Sequence, residues 1–62
     1  MKKLVAFLDS YPSEDEKESH DLIVEDESGT QWVKHLGSIP SQEAERVLDD
    51  AQNKILRGID PR

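Results

Sequence analysis

The sequence predicts an α+β fold in which a three-stranded antiparallel sheet packs on one C-terminal α-helix, in two layers. Three observations predict it: β-type runs, a glycine-containing turn between two of them, and a single apolar stripe at helical spacing. The β-type runs are 3–8, 21–25 and 31–36. Residues 1–62 are enough for one small domain, with the order β, loop, β-hairpin, α.

The first strand is predicted from the apolar run at 3–8, which contains Val5 and Phe7. The run is too short for a helix, and we expect both of its faces to be partly covered, as in a central strand. It is also shorter than the roughly 7–15 apolar residues of a signal peptide. Because the chain has no cysteine and no apolar stretch that could span a membrane, we expect a cytoplasmic protein.

An acidic loop is expected at about 9–20. Pro12 is unsuited to a central strand, and the charged residues after it repel one another and bury little surface. The alternative for part of this segment is one helical turn over 14–19. Tyr11 lies next to Pro12, so we expect it to be exposed.

The hairpin is predicted from two short strands around a turn in which Gly29 supplies a positive φ angle. The strand alternation places Leu22 and Val24 on one face and Ile23 on the other. In the last strand one face carries Trp32, Lys34 and Leu36, and the other carries Gln31, Val33 and His35. The alternation leaves open which face packs on the helix. Trp32 is expected in the core, because the chain has few other large side chains.

The helix is predicted over 41–57, with Pro40 in the first turn and Ser41 as its cap. Its apolar stripe consists of Ala44, Val47, Leu48, Ala51 and Ile55. Gly58 is predicted to end the helix as the C′ residue. Since this stripe covers only one sheet face, the other face stays free.

The net charge of −6 argues against a protein that binds nucleic acid by neutralising phosphates. Nine of the fourteen acidic residues fall within 9–27, where Lys17 is the only lysine or arginine. A dense array of carboxylates can associate quickly with a basic surface on another protein. We therefore expect the charge of this segment to be the main clue to function.

The leading hypothesis is a non-enzymatic protein-binding module or inhibitor that uses this acidic surface. Its sharpest form is a nucleic-acid mimic that blocks a basic, nucleic-acid-processing protein, by analogy with small acidic inhibitors of bacterial defence encoded by phages. The expected electrostatic contacts are Glu14, Asp15, Glu16, Glu18, Asp21, Glu25, Asp26 and Glu27. Tyr11 is expected to add an aromatic contact.

The alternative function is a small antitoxin-like or regulatory homodimer that buries Ile23, Val33 or Trp32 of the free sheet face between subunits. The element order and the helix start at 39–44 (Ile-Pro-Ser-Gln-Glu-Ala) are loosely similar to small antitoxins of the HicB type. The glycine- and aromatic-rich second strand expected of that type is missing. No functional residue is therefore carried over.

Catalysis and metal binding have little support in the sequence. His20 and His35 lack metal-ligand spacing, and there is no Gly-rich phosphate loop and no G-x-S-x-G motif. We expect both histidines at the surface. The sequence thus predicts no catalytic residue, no metal and no cofactor.

Overall fold

The computed structural model describes residues 3–13 and 17–62. The elements of this part of the chain are β1 Val5–Pro12, β2 Glu18–Glu25, β3 Gln31–Gly37 and α1 Ser41–Leu56. The strands form one antiparallel sheet in the order β1-β2-β3, and α1 packs on it. The predicted two-layer α+β fold is confirmed. No helix in the described ranges is long and apolar enough to cross a membrane.

The central strand is β2, so the prediction of a central first strand is wrong. Residues 19–24 of β2 are all buried, whereas Val5 and Phe7 of β1 are 52% and 39% exposed. Both connections join strands that pair directly, so β2 lies between its two neighbours in the chain. The apolar character of β1 therefore reflects an edge strand with one covered face.

The expected loop at about 9–20 is much shorter in the structure. β1 continues to Pro12, which pairs with Glu18, so the connection spans only 13–17. Pro12 is tolerated because it is the last residue of an edge strand, where a missing N–H group interrupts little of the ladder. Of the alternative helical turn, 14–16 lies outside the described residues, and residues 18 and 19 belong to β2.

The predicted hairpin turn is confirmed. The Asp26 N–H donates to the Thr30 carbonyl at 3.0 Å, and the Gly29 N–H donates to the Asp26 carbonyl at 3.1 Å. Gly29 has a φ angle of +85°. This is a three-residue hairpin loop with a glycine bulge, and it sets the register of β2 against β3.

The helix spans Ser41–Leu56, close to the predicted 41–57. Its N-terminal cap differs from the prediction. Pro40 occupies the N-cap position without a side-chain hydrogen bond, and Ser41 is already helical. Because Pro40 has a fixed φ of −58°, it directs the chain into the helix through its backbone rather than through a capping hydroxyl.

The C-terminal end of α1 matches the prediction at Gly58. The Gly58 N–H donates to the Ile55 carbonyl at 3.0 Å, and the Ile59 N–H donates to the Lys54 carbonyl at 2.7 Å. These two bonds, with a φ of +76° at Gly58, define a Schellman motif. The motif ends the helix and turns the chain back toward the sheet.

The core lies between the helix stripe and the even-numbered residues of the strands. A cluster of the buried residues Ala6, Leu22, Val24 and Ala51 forms its centre, with partly buried Leu4, Leu8, Leu36, Val47, Leu48 and Ile55 around it, and Ala44 of the helix is fully buried. The helix packs mainly against β1 and β2. The predicted apolar stripe of the helix is confirmed. The strand face that packs on the helix, which the sequence did not determine, is the one formed by the even-numbered residues.

Trp32 is not in the core as predicted. It pairs with Val24 on the helix side of the sheet but remains 48% exposed. The reason is its place in β3, which lies beyond the strands that α1 covers. The Arg62 guanidinium lies 4.1 Å from the centre of the Trp32 ring, and this stacking replaces core packing.

Candidate functional site

The sheet has one face that α1 does not cover, formed by the odd-numbered strand residues up to residue 35. We call it the open face. Successive side chains in a strand point to opposite sides, and the register brings the odd-numbered positions of all three strands together. The open face is therefore a continuous surface that a partner could contact.

An apolar row crosses the middle of the open face. Phe7 pairs with Ile23, and Ile23 pairs with Val33. Ile23 is 9% exposed because its two neighbours flank it, whereas Val33 is 50% exposed. Val5 extends the apolar surface along β1. Exposed apolar side chains that are contiguous and rimmed by polar groups are typical of protein interaction sites.

A polar row lies beside the apolar row. Asp9 pairs with Asp21, and Asp21 pairs with His35. Two carboxylates directly opposite each other repel, so their placement needs compensation. Asp21 Oδ1 accepts a hydrogen bond from the Tyr11 hydroxyl at 3.2 Å and lies 2.9 Å from His35 Nδ1. As a partner of a carboxylate, Nδ1 of His35 is the protonated ring nitrogen.

The hydrogen bonds to Asp21 make its burial possible. Asp21 is 7% exposed, and a buried carboxylate without donors would be strongly destabilising. Tyr11 and His35 supply donors from the two neighbouring strands, so the three side chains tie the sheet together across the open face. His35 remains largely exposed, with 77% of its side-chain surface accessible.

The pKa of the Tyr11 phenol is affected by its position beside Asp21 and Asp9. Burial against the sheet raises the pKa of the Tyr11 phenol above its ordinary value, and the hydrogen bond to Asp21 raises this pKa further. The negative charges of Asp21 and Asp9 act in the same direction. The neutral phenol is thus the form that fits beside Asp21.

The charge of the open face is negative. Its carboxylates are Asp9, Asp21 and Glu25, and none of its strand positions is Lys or Arg. Glu25 accepts a hydrogen bond from the Gln31 side chain at 3.0 Å, which holds it beside the apolar row. The open face therefore combines an apolar centre with acidic groups around it.

The other predicted acidic contacts lie elsewhere. Glu14, Asp15 and Glu16 lie outside the described residues. Glu18 begins β2, whereas Asp26 and Glu27 belong to the hairpin turn at the opposite end of that strand. An eight-residue strand is about 25 Å long, so these groups do not meet.

The two turn acids are also engaged within the chain. Asp26 Oδ1 accepts hydrogen bonds from the Ser28 N–H at 2.9 Å, the Ser28 hydroxyl at 2.6 Å and the Thr30 N–H at 3.1 Å. The Ser28 hydroxyl, helped by the backbone N–H groups, lowers the pKa of Asp26. Glu27 accepts a hydrogen bond from the Lys3 N–H at 2.7 Å. These contacts indicate a role in shaping the turn.

The idea that residues 9–27 present their carboxylates on a single exposed side is therefore wrong for the described residues. Asp21 is buried, and the others are divided between the open face and the two ends of β2. The strand acids Asp9, Asp21 and Glu25 share the open face, whereas Glu18, at an even position of β2, and the two acids of the hairpin turn lie elsewhere. Whether these residues contact a partner stays a prediction.

His20 is buried, so the prediction of a surface position is wrong. It is 3% exposed on the helix side of β2, and its Nδ1 lies 2.7 Å from the Ser10 hydroxyl oxygen. Its Nε2 has no hydrogen-bond partner in the structure. The even position in the alternation, shared with Leu22 and Val24, was the signal that could have placed it inside.

The polar row does not form a hydrolytic triad. A triad needs a nucleophile bonded to the second nitrogen of the histidine, and the described hydrogen bonds of His35 run to Asp21 alone. Within 3–13 and 17–62, no group of three or more His, Asp or Glu residues is placed to hold a metal ion.

Sequence reasoning singled out Ile23, Val33 and Trp32 for the free face, and it was wrong for Trp32, which pairs with Val24 on the helix side. It passed over Phe7 and Asp9. Both residues could have been predicted from the alternation of side chains along a β-strand. Once Ile23 is placed outward, the antiparallel register brings Phe7 and Val33 to either side of it. Asp9 was missed because the strand was taken to end at Leu8.

Comparison of the chain with protein-family models, with curated proteins and with solved structures gives no match. A fold of this kind does not by itself specify a function.

Proposed function

We propose that this chain is a non-enzymatic protein-binding module that engages a partner through its open face. The observation that carries the proposal is the apolar row of Phe7, Ile23 and Val33, flanked by the carboxylates of Asp9 and Glu25. The fitting partner is a protein with a basic surface that also contains an apolar patch. The proposal includes a cytoplasmic setting, in keeping with a chain that lacks cysteine.

The apolar row bears on the form of the inhibitor hypothesis. A nucleic-acid backbone offers charge at regular spacing, whereas the open face has apolar side chains at its centre and acids at its rim. Interfaces of this composition bind with an apolar core, and their rim charges mainly speed association. This composition favours a partner that is recognised through apolar contacts between two protein surfaces rather than through charge spacing alone. Occupation of a nucleic-acid-processing protein's basic groove remains the sharpest form of the proposal.

The test is affinity capture from the source cell's lysate with three baits: wild type, Phe7→Lys and Leu56→Lys. Phe7 is in the apolar row, and Leu56 is 84% exposed on α1. Both substitutions add one positive charge and replace an exposed apolar side chain by Lys, so they are matched. We expect one partner to be retained by wild type and Leu56→Lys and to be lost with Phe7→Lys.

Salt separates the two contributions to binding. The Debye length falls to about 3 Å at 1 M salt, so rim charges then contribute little. We expect the partner to associate more slowly at high salt but to remain bound through the apolar row. Retention of the same proteins by all three baits, or their equal loss with Leu56→Lys, would contradict the proposal.

A further inference from the structure

Among the residues that the structure describes, no strand pairs with the outer edge of β3. In the sheet order β1-β2-β3 only the inner side of β3 has a partner strand, and six of its seven residues are exposed, which marks it as the least covered element of the sheet. Unpaired backbone N–H and C=O groups in such an edge can template pairing with another strand. The edge is therefore a possible interaction surface separate from the open face.

The hydrogen-bond pattern shows which groups of β3 are free. Asp26 and Thr30 share a backbone hydrogen bond at the hairpin turn. Because bonded and non-bonded pairs alternate in an antiparallel ladder, the pair of Ile23 and Val33 is non-bonded. The N–H and C=O groups of Gln31, Val33 and His35 accordingly point away from β2, toward the unpaired side.

The two edges of the sheet differ in how they are protected. β1 carries the acid Asp9 and ends in Pro12, which has no N–H to donate. β3 contains no proline and no acidic residue, and its charged groups are Lys34 and His35. In a chain with a net charge of −6, β3 is thus the strand whose pairing with its own copy places no two strand carboxylates opposite each other.

We propose that β3 pairs antiparallel with β3 of a second copy, about a two-fold axis at Val33. In this register the outward groups of Gln31, Val33 and His35 bond to those of the second copy, giving about six ladder hydrogen bonds. On the helix side Trp32 lies opposite Lys34 of the second copy, so this register places no two like charges directly opposite each other there. The result is a six-stranded sheet with both helices on the same side.

Other registers and other surfaces fit less well. Centring the pair on Lys34 places two ammonium groups opposite each other, and centring it on Trp32 shortens the paired segment. Contact between two open faces would bring Asp9 and Glu25 of each copy together without any Lys or Arg from the strands of that face. The edge pairing instead leaves both open faces free, so it does not depend on the proposed function.

The experiment uses the absence of native cysteine. In the proposed register Val33 lies opposite Val33 of the second copy, with Cα atoms about 5.5 Å apart, within the roughly 4.4–6.8 Å that a disulfide spans. Gln31 is offset from its own copy by four residues, about 13 Å along the strand. Val33→Cys is the test variant, and Gln31→Cys is the matched control on the same strand and face.

Each variant is oxidised with diamide in native buffer and in urea, and the wild type is examined by sedimentation equilibrium. We expect a wild-type dimer, and a disulfide dimer of Val33→Cys that forms about tenfold or more faster than that of Gln31→Cys in native buffer only. Equal oxidation rates for the two variants would overturn the proposed pairing. So would a wild type that stays monomeric at the highest soluble concentration, an observation that does not depend on how either variant folds.

Discussion

Leu22 and Ile23 are neighbours in β2, and both are less than 10% exposed, but different groups cover them. Leu22 packs into the core beneath α1, whereas Ile23 is covered only from the sides, by Phe7 and Val33. In a central strand, burial by itself does not identify the core face. The residues on the neighbouring strands identify it. Phe7 and Val33, which flank Ile23, are 39% and 50% exposed, so the face of Ile23 is not the core face.

The largest expected difference between the core face and the open face is the loss of stability when one large side chain on each is truncated to alanine. Leu22→Ala should cost about 2–5 kcal/mol of unfolding free energy, because it opens a cavity under the helix. A chain of this length has a total stability of about 3–9 kcal/mol, so this variant should lose a large part of its stability. The measurement is urea denaturation followed by circular dichroism.

Phe7→Ala is the counterpart on the open face. It should cost about 1–2 kcal/mol, less than Leu22→Ala, because Phe7 is 39% exposed and its truncation opens no enclosed cavity. A cost as large as that of Leu22→Ala would mean that the open face is already covered in the free chain, and the contrast between the two faces would be lost.

A smaller effect is expected at Tyr11, the only tyrosine in the chain. Its native pKa is raised by burial and by Asp21, so folding favours the neutral phenol. This contribution to stability is complete below the ordinary pKa of about 10 and is lost as pH rises through the native value. Phenolate absorbance at alkaline pH should give a higher midpoint in native buffer than in urea.

Asp21→Asn is the control for this titration. It removes the negative charge beside the phenol, so the native midpoint should move back toward the urea value. An unchanged midpoint would show that Asp21 does not contribute to the shift and that the polar row is not formed as described.

Much of the fold followed from local patterns. The helix stripe, the Gly29 turn and the Gly58 terminus each depend on residues close in sequence, and all three are confirmed. The extent of β1 could not be read in the same way. Pro12 looks like a strand breaker until the sheet order is known, because only an edge strand tolerates it at its end.

The candidate site was harder to predict than the fold, because it depends on register. A run of acids in sequence suggests one acidic surface, but alternation sends Asp21 and Glu25 to the open face and leaves Asp26 in a turn. Trp32 was expected in the core because of its size. Its position in β3, beyond the helix, is a tertiary feature that residue type does not encode.

The most direct test of the central claim is methyl NMR of the wild-type chain, free and bound to the partner retained by the wild-type bait. The methyl groups of Val5, Ile23 and Val33 report on the open face, and those of Val47 report on the helix. The account predicts that the signals of all three shift on binding and that exposed Val5 and Val33 lose contact with a soluble relaxation agent, while Val47 changes little. Large changes at Val47 with an unaltered open face would contradict it.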